Sequence, residues 1–398
     1  RKRYLNCAVL SPDAGVVRIL HNHTPEDPGP GAWTFATGND PTDLEICDMN
    51  NDGWSDVALT HSSEPVLNLF LNNGRGGLGG QTSLTLAAPA TGLISLASGP
   101  DARDFLATGA DGRTLSYLSV STADLTLTPM SVHTDLPVEA IDGRRSPGTT
   151  GRRVYALRED AGGRDATLLS YDLIDRTRYE ESDMRLGLPG RIVATATHDF
   201  DGDGMRDLAV LTAPDSGKIP PWTLTVYRQD SAGFSVARSV PVAFPAVQSR
   251  AVSLWAADLN GDGATDLIVN AGKPDNVLFV ALARGDTAFG DATVVGTDVR
   301  IPGSKSLSVT DFDSDGRTDL VFVNERTRTV QFLPGDGGGN YSGPVNLTSA
   351  KGVRGFGVGD LNREGGKELF VTIADEGILS VTSFHHPLFE RKKSRNHE

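Results

Sequence analysis

Hydrophobic residues along this chain fall in short runs, rich in β-branched and aromatic side chains and closed by turn residues. Examples are Leu208-Ala-Val-Leu211, Trp222-Thr-Leu-Thr-Val-Tyr227 and Leu320-Val-Phe-Val323. Runs of this length and composition predict buried strands, and no stretch sustains a helical period. The unit beginning at Arg191 gives the order: Ile192-Val-Ala-Thr-Ala-Thr197, an acidic turn, Leu208 to Leu211, Trp222 to Tyr227, a glycine turn, then Phe234-Ser-Val-Ala-Arg238. The unit holding Asp258 repeats this order, and 45 glycines and 22 prolines supply turns throughout.

The acidic turn is the most informative element. It reads Asp48-Met-Asn50-Asn-Asp52-Gly53-Trp54-Ser-Asp56, Asp199-Phe-Asp201-Gly-Asp203-Gly204-Met205-Arg-Asp207, Asp258-Leu-Asn260-Gly-Asp262-Gly263-Ala264-Thr-Asp266 and Asp311-Phe-Asp313-Ser-Asp315-Gly316-Arg317-Thr-Asp319. Successive first aspartates lie 151, 59 and 53 residues apart, and a worn copy at Asp360-Leu-Asn362-Arg-Glu364-Gly365-Gly-Lys-Glu368 adds an interval of 49. Two loopless units fill the long interval, with Gly99-Pro-Asp101-Ala-Arg-Asp104 and Asp142-Gly-Arg-Arg145 in place of the loop. A period near fifty residues with four strands per period predicts propeller blades.

Three further runs, Asn6-Cys-Ala-Val-Leu10, Val16-Val-Arg-Ile-Leu20 and Trp33-Thr-Phe35, match strands two to four of a unit whose loop would precede Arg1. The chain therefore enters mid-blade, either cut from a longer protein or closing its ring by joining both ends. The expectation is an all-β, single β-propeller of seven or eight four-stranded blades, eight preferred and the first partial. It occupies 1–390, with units near 1–38, 39–90, 91–136, 137–189, 190–248, 249–302, 303–350 and 351–390, and 391–398 form a basic tail.

Carboxylates this close repel one another unless a cation sits between them. Oxygen ligands at loop positions 1, 3, 5 and 9, with glycine at 6 to turn the chain, suit a hard ion such as Ca²⁺. The four loops hold fourteen aspartates, equal to the formal net charge of −14, so four bound Ca²⁺ ions would leave about −6. Solvated Asp-Gly turns are the plain alternative, made improbable by four copies with one spacing. An EF-hand is excluded: its position 12 requires Glu, and here that place is Leu59, Val210, Val269 and Phe322, each within a strand-like run.

The loop with its trailing strand resembles the FG-GAP and VCBS repeats, known from the propeller of integrin α subunits and from many secreted bacterial and lectin-like proteins. The resemblance implies Ca²⁺ on the side chains of Asp48, Asn50, Asp52, Asp56, Asp199, Asp201, Asp203, Asp207, Asp258, Asn260, Asp262, Asp266, Asp311, Asp313, Asp315 and Asp319. It adds the backbone carbonyls of Trp54, Met205, Ala264 and Arg317. It implies no metal in the units near 101 and 142, while Glu364 and Glu368 set the fifth candidate site, Asp360, Asn362, Glu364 and Glu368, apart from the rest. The Phe-Gly pair survives sporadically, as at Phe356-Gly357, which favours the broad VCBS-like group over a true integrin chain.

Other features carry less. Phe234, Phe289 and Tyr341 recur in phase after the third strand, as interblade packing or, less favoured, a ligand-stacking platform. Gly74-Arg-Gly76-Gly-Leu-Gly79 matches a dinucleotide fingerprint by letter but lacks the following helix, and Arg284-Gly-Asp286 reads as a plain turn. Cys7 and Cys47 form either a disulfide between adjacent units or two free thiols. The histidines show no catalytic pairing. No leader is visible, and no run of 18 apolar residues spans a membrane.

The expected function is a calcium-stabilised extracellular, periplasmic or cell-surface module that binds or adheres to glycan or protein through face loops. No nucleic acid partner is expected, and membership of a longer multidomain chain is an open expectation. The alternative is a carbohydrate-active enzyme such as a polysaccharide lyase, which needs Tyr or His with Arg or Lys converging in one groove.

Overall fold

Successive strand runs fold back on one another in chain order, because each is joined to the next by a turn too short for a crossover. The computed structural model describes residues 41–349 apart from short loop segments, and the strand backbones at 6–11, 16–21, 33–36, 353–359 and 368–373. Among these residues six four-stranded antiparallel sheets form, each a simple meander. They are blades one (41–85), two (90–133), three (139–185), four (191–242), five (252–297) and six (307–349). No helix among the described residues is long and apolar enough to cross a membrane.

First strands of neighbouring blades lie against each other, as Pro41–Cys47 does with Ala90–Ser95 and Arg191–His198 with Val252–Ala257. That contact places them at the centre of a β-propeller. The second strands carry the burial: Asp56–His61, Asp266–Ala271 and Asp319–Asn324 are buried at every position. Their continuous apolar character follows from being covered on both faces by adjacent blades. Phe322 is fully buried, which contributes about 1.5–3 kcal/mol. Outer strands such as Tyr179–Arg185 are exposed along most of their length.

The core consists of interblade seams. Leu211, Trp222 and Leu224 of blade four pack with Leu254, Val269 and Phe279 of blade five, and Leu278 and Val280 of blade five with Leu320 and Phe322 of blade six. The phased aromatics serve these seams: Phe234 packs between blades three and four, Phe289 between four and five, Tyr341 between five and six. Phe234 meets Tyr155 edge-on at 4.8 Å.

The blade count differs from the sequence expectation of seven or eight. Six four-stranded blades are present, together with a three-stranded sheet (Asn6–Ser11, Val16–His21, Trp33–Ala36) and a two-stranded one (Val353–Gly359, Glu368–Ile373). The physical reason for the eight-blade overcount is that 1–38 and 351–390 are both partial, and Asn6–Ser11 lies beside Glu368–Ile373. A periodic reading counts each fragment separately, whereas the fold sets them side by side.

Candidate metal centres

Each acidic loop closes the hairpin between first and second strands. The residue before position 1 pairs with position 9 in every case: Cys47 with Asp56, His198 with Asp207, Ala257 with Asp266, Thr310 with Asp319. Glycine at position 6 is left-handed throughout, with φ of 82°, 85°, 82° and 84° at Gly53, Gly204, Gly263 and Gly316. Position 4 is left-handed too, at Asn51, Gly202 and Gly261. Two such residues coil the backbone tightly enough to turn successive side chains inward.

Hydrogen bonding inside the loops repeats in the same way. The position 1 carboxylate accepts the position 6 N–H, as from Gly53 to Asp48 (2.7 Å) and from Gly263 to Asp258 (2.9 Å). Position 3 accepts from the position 5 N–H, and position 5 from the position 7 N–H, so Met205 donates to Asp203 at 2.7 Å and Arg317 to Asp315 at 3.0 Å. Trp54, Met205, Ala264 and Arg317 thus occupy equivalent places through their N–H groups.

Position 9 has a role that residue spacing alone did not reveal. One oxygen accepts the position 2 N–H and the other accepts an N–H at or just beyond the end of the third strand. Asp56 holds Met49 (2.7 Å) and Asn72 (2.6 Å), Asp207 holds Phe200 (2.9 Å) and Gln229 (2.8 Å), Asp266 holds Leu259 (2.9 Å) and Ala283 (2.7 Å), and Asp319 holds Phe312 (2.9 Å) and Gly335 (2.8 Å). These carboxylates are buried to 1% exposure or less. Burial pushes Asp56 up to about 6, against the two N–H bonds that favour its anion, and the Asp52 and Asp48 charges push the same way as burial. Asp207, Asp266 and Asp319 are also raised by burial.

The residues present fit a hard divalent cation. Ligand oxygens of Asp199, Asp201 and Asp207 lie within 4.8 Å of one another, as do those of Asp311, Asp313 and Asp315. In the first loop, Oδ1 of Asp48 is buried without a hydrogen-bond partner. An unpaired buried carboxylate oxygen is costly unless a cation meets it. Loops with Asn at position 3 turn its amide onto position 5, at 2.9 Å from Asn50 to Asp52 and 3.0 Å from Asn260 to Asp262. In the other two, arginine approaches: Arg228 stands 3.2 Å from Asp201, Arg317 3.6 Å from Asp315. The fifth candidate, Asp360, Asn362, Glu364 and Glu368, lies outside the described side chains, as do the basic tail and His385-His386.

Adjacent loops are joined through position 8. Thr265 of blade five donates to the Asp199 carbonyl of blade four at 3.0 Å, and Thr318 of blade six to the Asp258 carbonyl of blade five at 3.5 Å. Blade two has no acidic loop, yet Arg103 fills the same place, donating from Nε to the Asp48 carbonyl at 2.5 Å and from a second nitrogen to Asn51.

The loopless blades keep parts of the plan. Asp104 follows Arg103 as position 9 follows position 8; it is fully buried and accepts the Ser119 hydroxyl at 2.6 Å. In blade three the strand register sets Arg153 where blade four has Asp207, since Val154 pairs with Tyr171 as Leu208 does with Tyr227. Arg153 makes a two-bonded ion pair with Asp172 at 2.5 and 2.7 Å. A cation belonging to the chain thus stands at the loop end of this blade.

Cys47 is a free thiol directed at Met49 Sδ (3.3 Å), pushed up to about 12 mainly by burial, which leaves it unreactive; the Cys7 side chain lies outside the described residues. Gly74 is left-handed (φ 72°) in a hairpin under Trp54, and 75–77 lie outside the described residues. Arg284 accompanies the bridge that pairs Ala283 with Phe289, while Gly285 and Asp286 are outside the description.

This loop-and-strand geometry coincides with a known repeat. A family model described as FG-GAP-like repeat matches 199–269 and 311–371, both segments starting at position 1 of an acidic loop. These two segments are FG-GAP-like repeats. No curated protein matches the chain. Among solved structures it is similar to the BP39L lectin from Burkholderia pseudomallei, at 16% identity and a TM-score of 0.55, covering 84% of this chain and 93% of the lectin. A protein from Lactobacillus plantarum is similar at 13% identity and a TM-score of 0.51, covering 87% of this chain and 96% of that one. At such identities the likeness concerns the fold that carries the FG-GAP-like repeats.

Proposed function

We propose that the chain is a calcium-stabilised, extracellular or cell-surface binding module whose propeller recognises glycan or protein through loops on one face. The observation that carries it is the four-times repeated loop, with carboxylate oxygens converging from positions 1, 3 and 9 in loop 199–207 and from positions 1, 3 and 5 in loop 311–319, and a buried unpaired oxygen on Asp48 in the first loop. Asp48, Asp199, Asp258 and Asp311 would hold the ion with positions 3, 5 and 9 and the carbonyls of position 7. Bound Ca²⁺ supplies the positive charge that lets these loops stay closed. Millimolar calcium outside cells suits exposed loops of modest affinity.

We further infer that the ring has seven blades, the seventh built from both chain ends. Asn6–Ser11 lies beside Glu368–Ile373, while Val353–Gly359 reaches both Pro41–Cys47 of blade one and Leu307–Thr310 of blade six. That is the contact set of a first strand lying between two blades.

Ligand recognition falls to the face away from the loops. There a cavity of about 260 Å³ opens among Glu139, Glu159, Thr195 and Ser253 at the centre of the ring. Thr195 donates to Glu139 at 3.1 Å, and burial raises the Glu139 carboxyl. The lyase alternative draws less support: Arg153 and Tyr155 share a cavity between blades three and four, but Arg153 is committed to Asp172. Glycan-array binding with and without calcium tests the proposal. Calcium-dependent binding to discrete glycans supports it, and turnover of uronic-acid polysaccharide by the protein would replace it with the enzyme.

A further inference from the structure

Among the described residues every four-stranded blade ends in an outer strand with one unpaired edge, and such edges attract other chains unless they are guarded. Five of the six are guarded. Blade two carries Pro129 and blade four Pro241 in the outer strand. Blades one, four, five and six have register shifts beside it, at Phe70/Asn72, Val226/Tyr227, Leu278/Phe279 and Val330/Gln331. Blade three is different. Tyr179–Arg185 pairs without a shift from Leu173↔Tyr179 to Thr167↔Arg185 and contains no proline.

This regular edge is acidic. Glu180, Glu181 and Asp183 are exposed, and Ile174 (46%) and Tyr179 (39%) are exposed apolar residues at one end. Glu181 stands opposite Tyr171 and Asp183 opposite Leu169, so both carboxylates share one face of the sheet, two residues apart. Arg185 on that face is held by Asp165 at 2.5 Å and does not neutralise them.

We propose that the Tyr179–Arg185 edge is a docking site for an extended basic segment of a partner protein, which adds to blade three as a fifth strand. Main-chain bonds supply the affinity in this mode and alternate side chains the selectivity. Lysine or arginine at every second position would meet Glu181 and Asp183 across the strand. The same carboxylates repel a second copy of this edge, so the charges both select the partner and prevent self-pairing.

The test uses the whole chain in calcium-containing, low-salt buffer, with a short fluorescent peptide alternating lysine with valine, followed by anisotropy. The expected result is saturable binding, weakened about tenfold or more when a central valine of the peptide becomes proline, because ladder bonds are lost. Glu181→Lys with Asp183→Lys should abolish binding without shifting the melting temperature, and amide exchange across 179–185 should slow when peptide is bound. Equal binding by the proline peptide means charge attraction without strand addition and overturns the proposal; so does no binding, or binding that appears only when 391–398 are deleted. Blade three holds no acidic loop, so failure here leaves the calcium reading intact.

Discussion

The Thr265 hydroxyl of blade five donates to the carbonyl of Asp199 in blade four at 3.0 Å, so the position 8 side chain of one acidic loop holds the first residue of the next. Thr265 is buried, and His198 Nδ1 lies beside both groups, at 3.2 Å from its hydroxyl and 3.0 Å from the same carbonyl. The loops of blades four, five and six therefore form a linked series on one face of the ring.

Replacing Thr265 by Val keeps the shape and removes the link. We expect Thr265→Val to cost about 1 kcal/mol in denaturant unfolding, the typical net value of one hydrogen bond. Calcium affinity in loop 199–207 should weaken, with loop 311–319 unchanged, as site-resolved titration would show. Equal effects at both sites would argue against a local link.

Position 9 and position 5 should separate by state. Asp207→Ala strands the part-buried N–H of Phe200 and the buried N–H of Gln229, and we expect a loss of roughly 2–5 kcal/mol even in calcium-free protein. Asp203→Asn keeps the acceptor for Met205 in an exposed loop position; it should leave calcium-free stability within about 0.5 kcal/mol and remove one ion from the binding stoichiometry. Urea unfolding and equilibrium dialysis of the two variants check both halves.

Much of this was legible in residue order. The spacing of positions 1, 3, 5, 6 and 9 marked the hairpin turns, and the β-branched runs after Asp207 and Asp319 marked the buried second strands. The double clasp of Asp56 and its counterparts was hidden because a residue type does not say which N–H it accepts. The mid-blade start left two readings open, a cut chain or joined ends, because residue order does not say that Asn6–Ser11 and Glu368–Ile373 are neighbours in space. Arg153 escaped notice because its likeness to Asp207 rests on strand register and its charge is opposite.

Gly263 tests the backbone alone. Its φ is 82° and a Cβ there would meet nothing within 4 Å, so Gly263→Ala adds only the left-handed penalty. That should cost about 1–2 kcal/mol in thermal or denaturant unfolding. Gly99→Ala, also in open space and without a positive φ, should be nearly neutral.

The pH dependence has a definite sign. Burial raises Asp56 to about 6, so in calcium-free protein the folded state holds this proton more tightly than the unfolded chain. The stability it contributes is present below its ordinary value near 4 and is lost as pH rises through about 6. Calcium bound at this loop would favour the anion and restore that loss. The rise in melting temperature on adding calcium should therefore be larger at pH 7 than at pH 5, in scans of decalcified protein with and without the ion.

Calcium held in the four acidic loops is what the proposed function rests on. Equilibrium dialysis of the purified chain in millimolar calcium, with metal content determined by elemental analysis, measures it directly. Four bound ions per chain are expected, falling by one with each position 5 substitution at Asp52, Asp203, Asp262 or Asp315. A chain that retains no calcium under these conditions would contradict the proposed function.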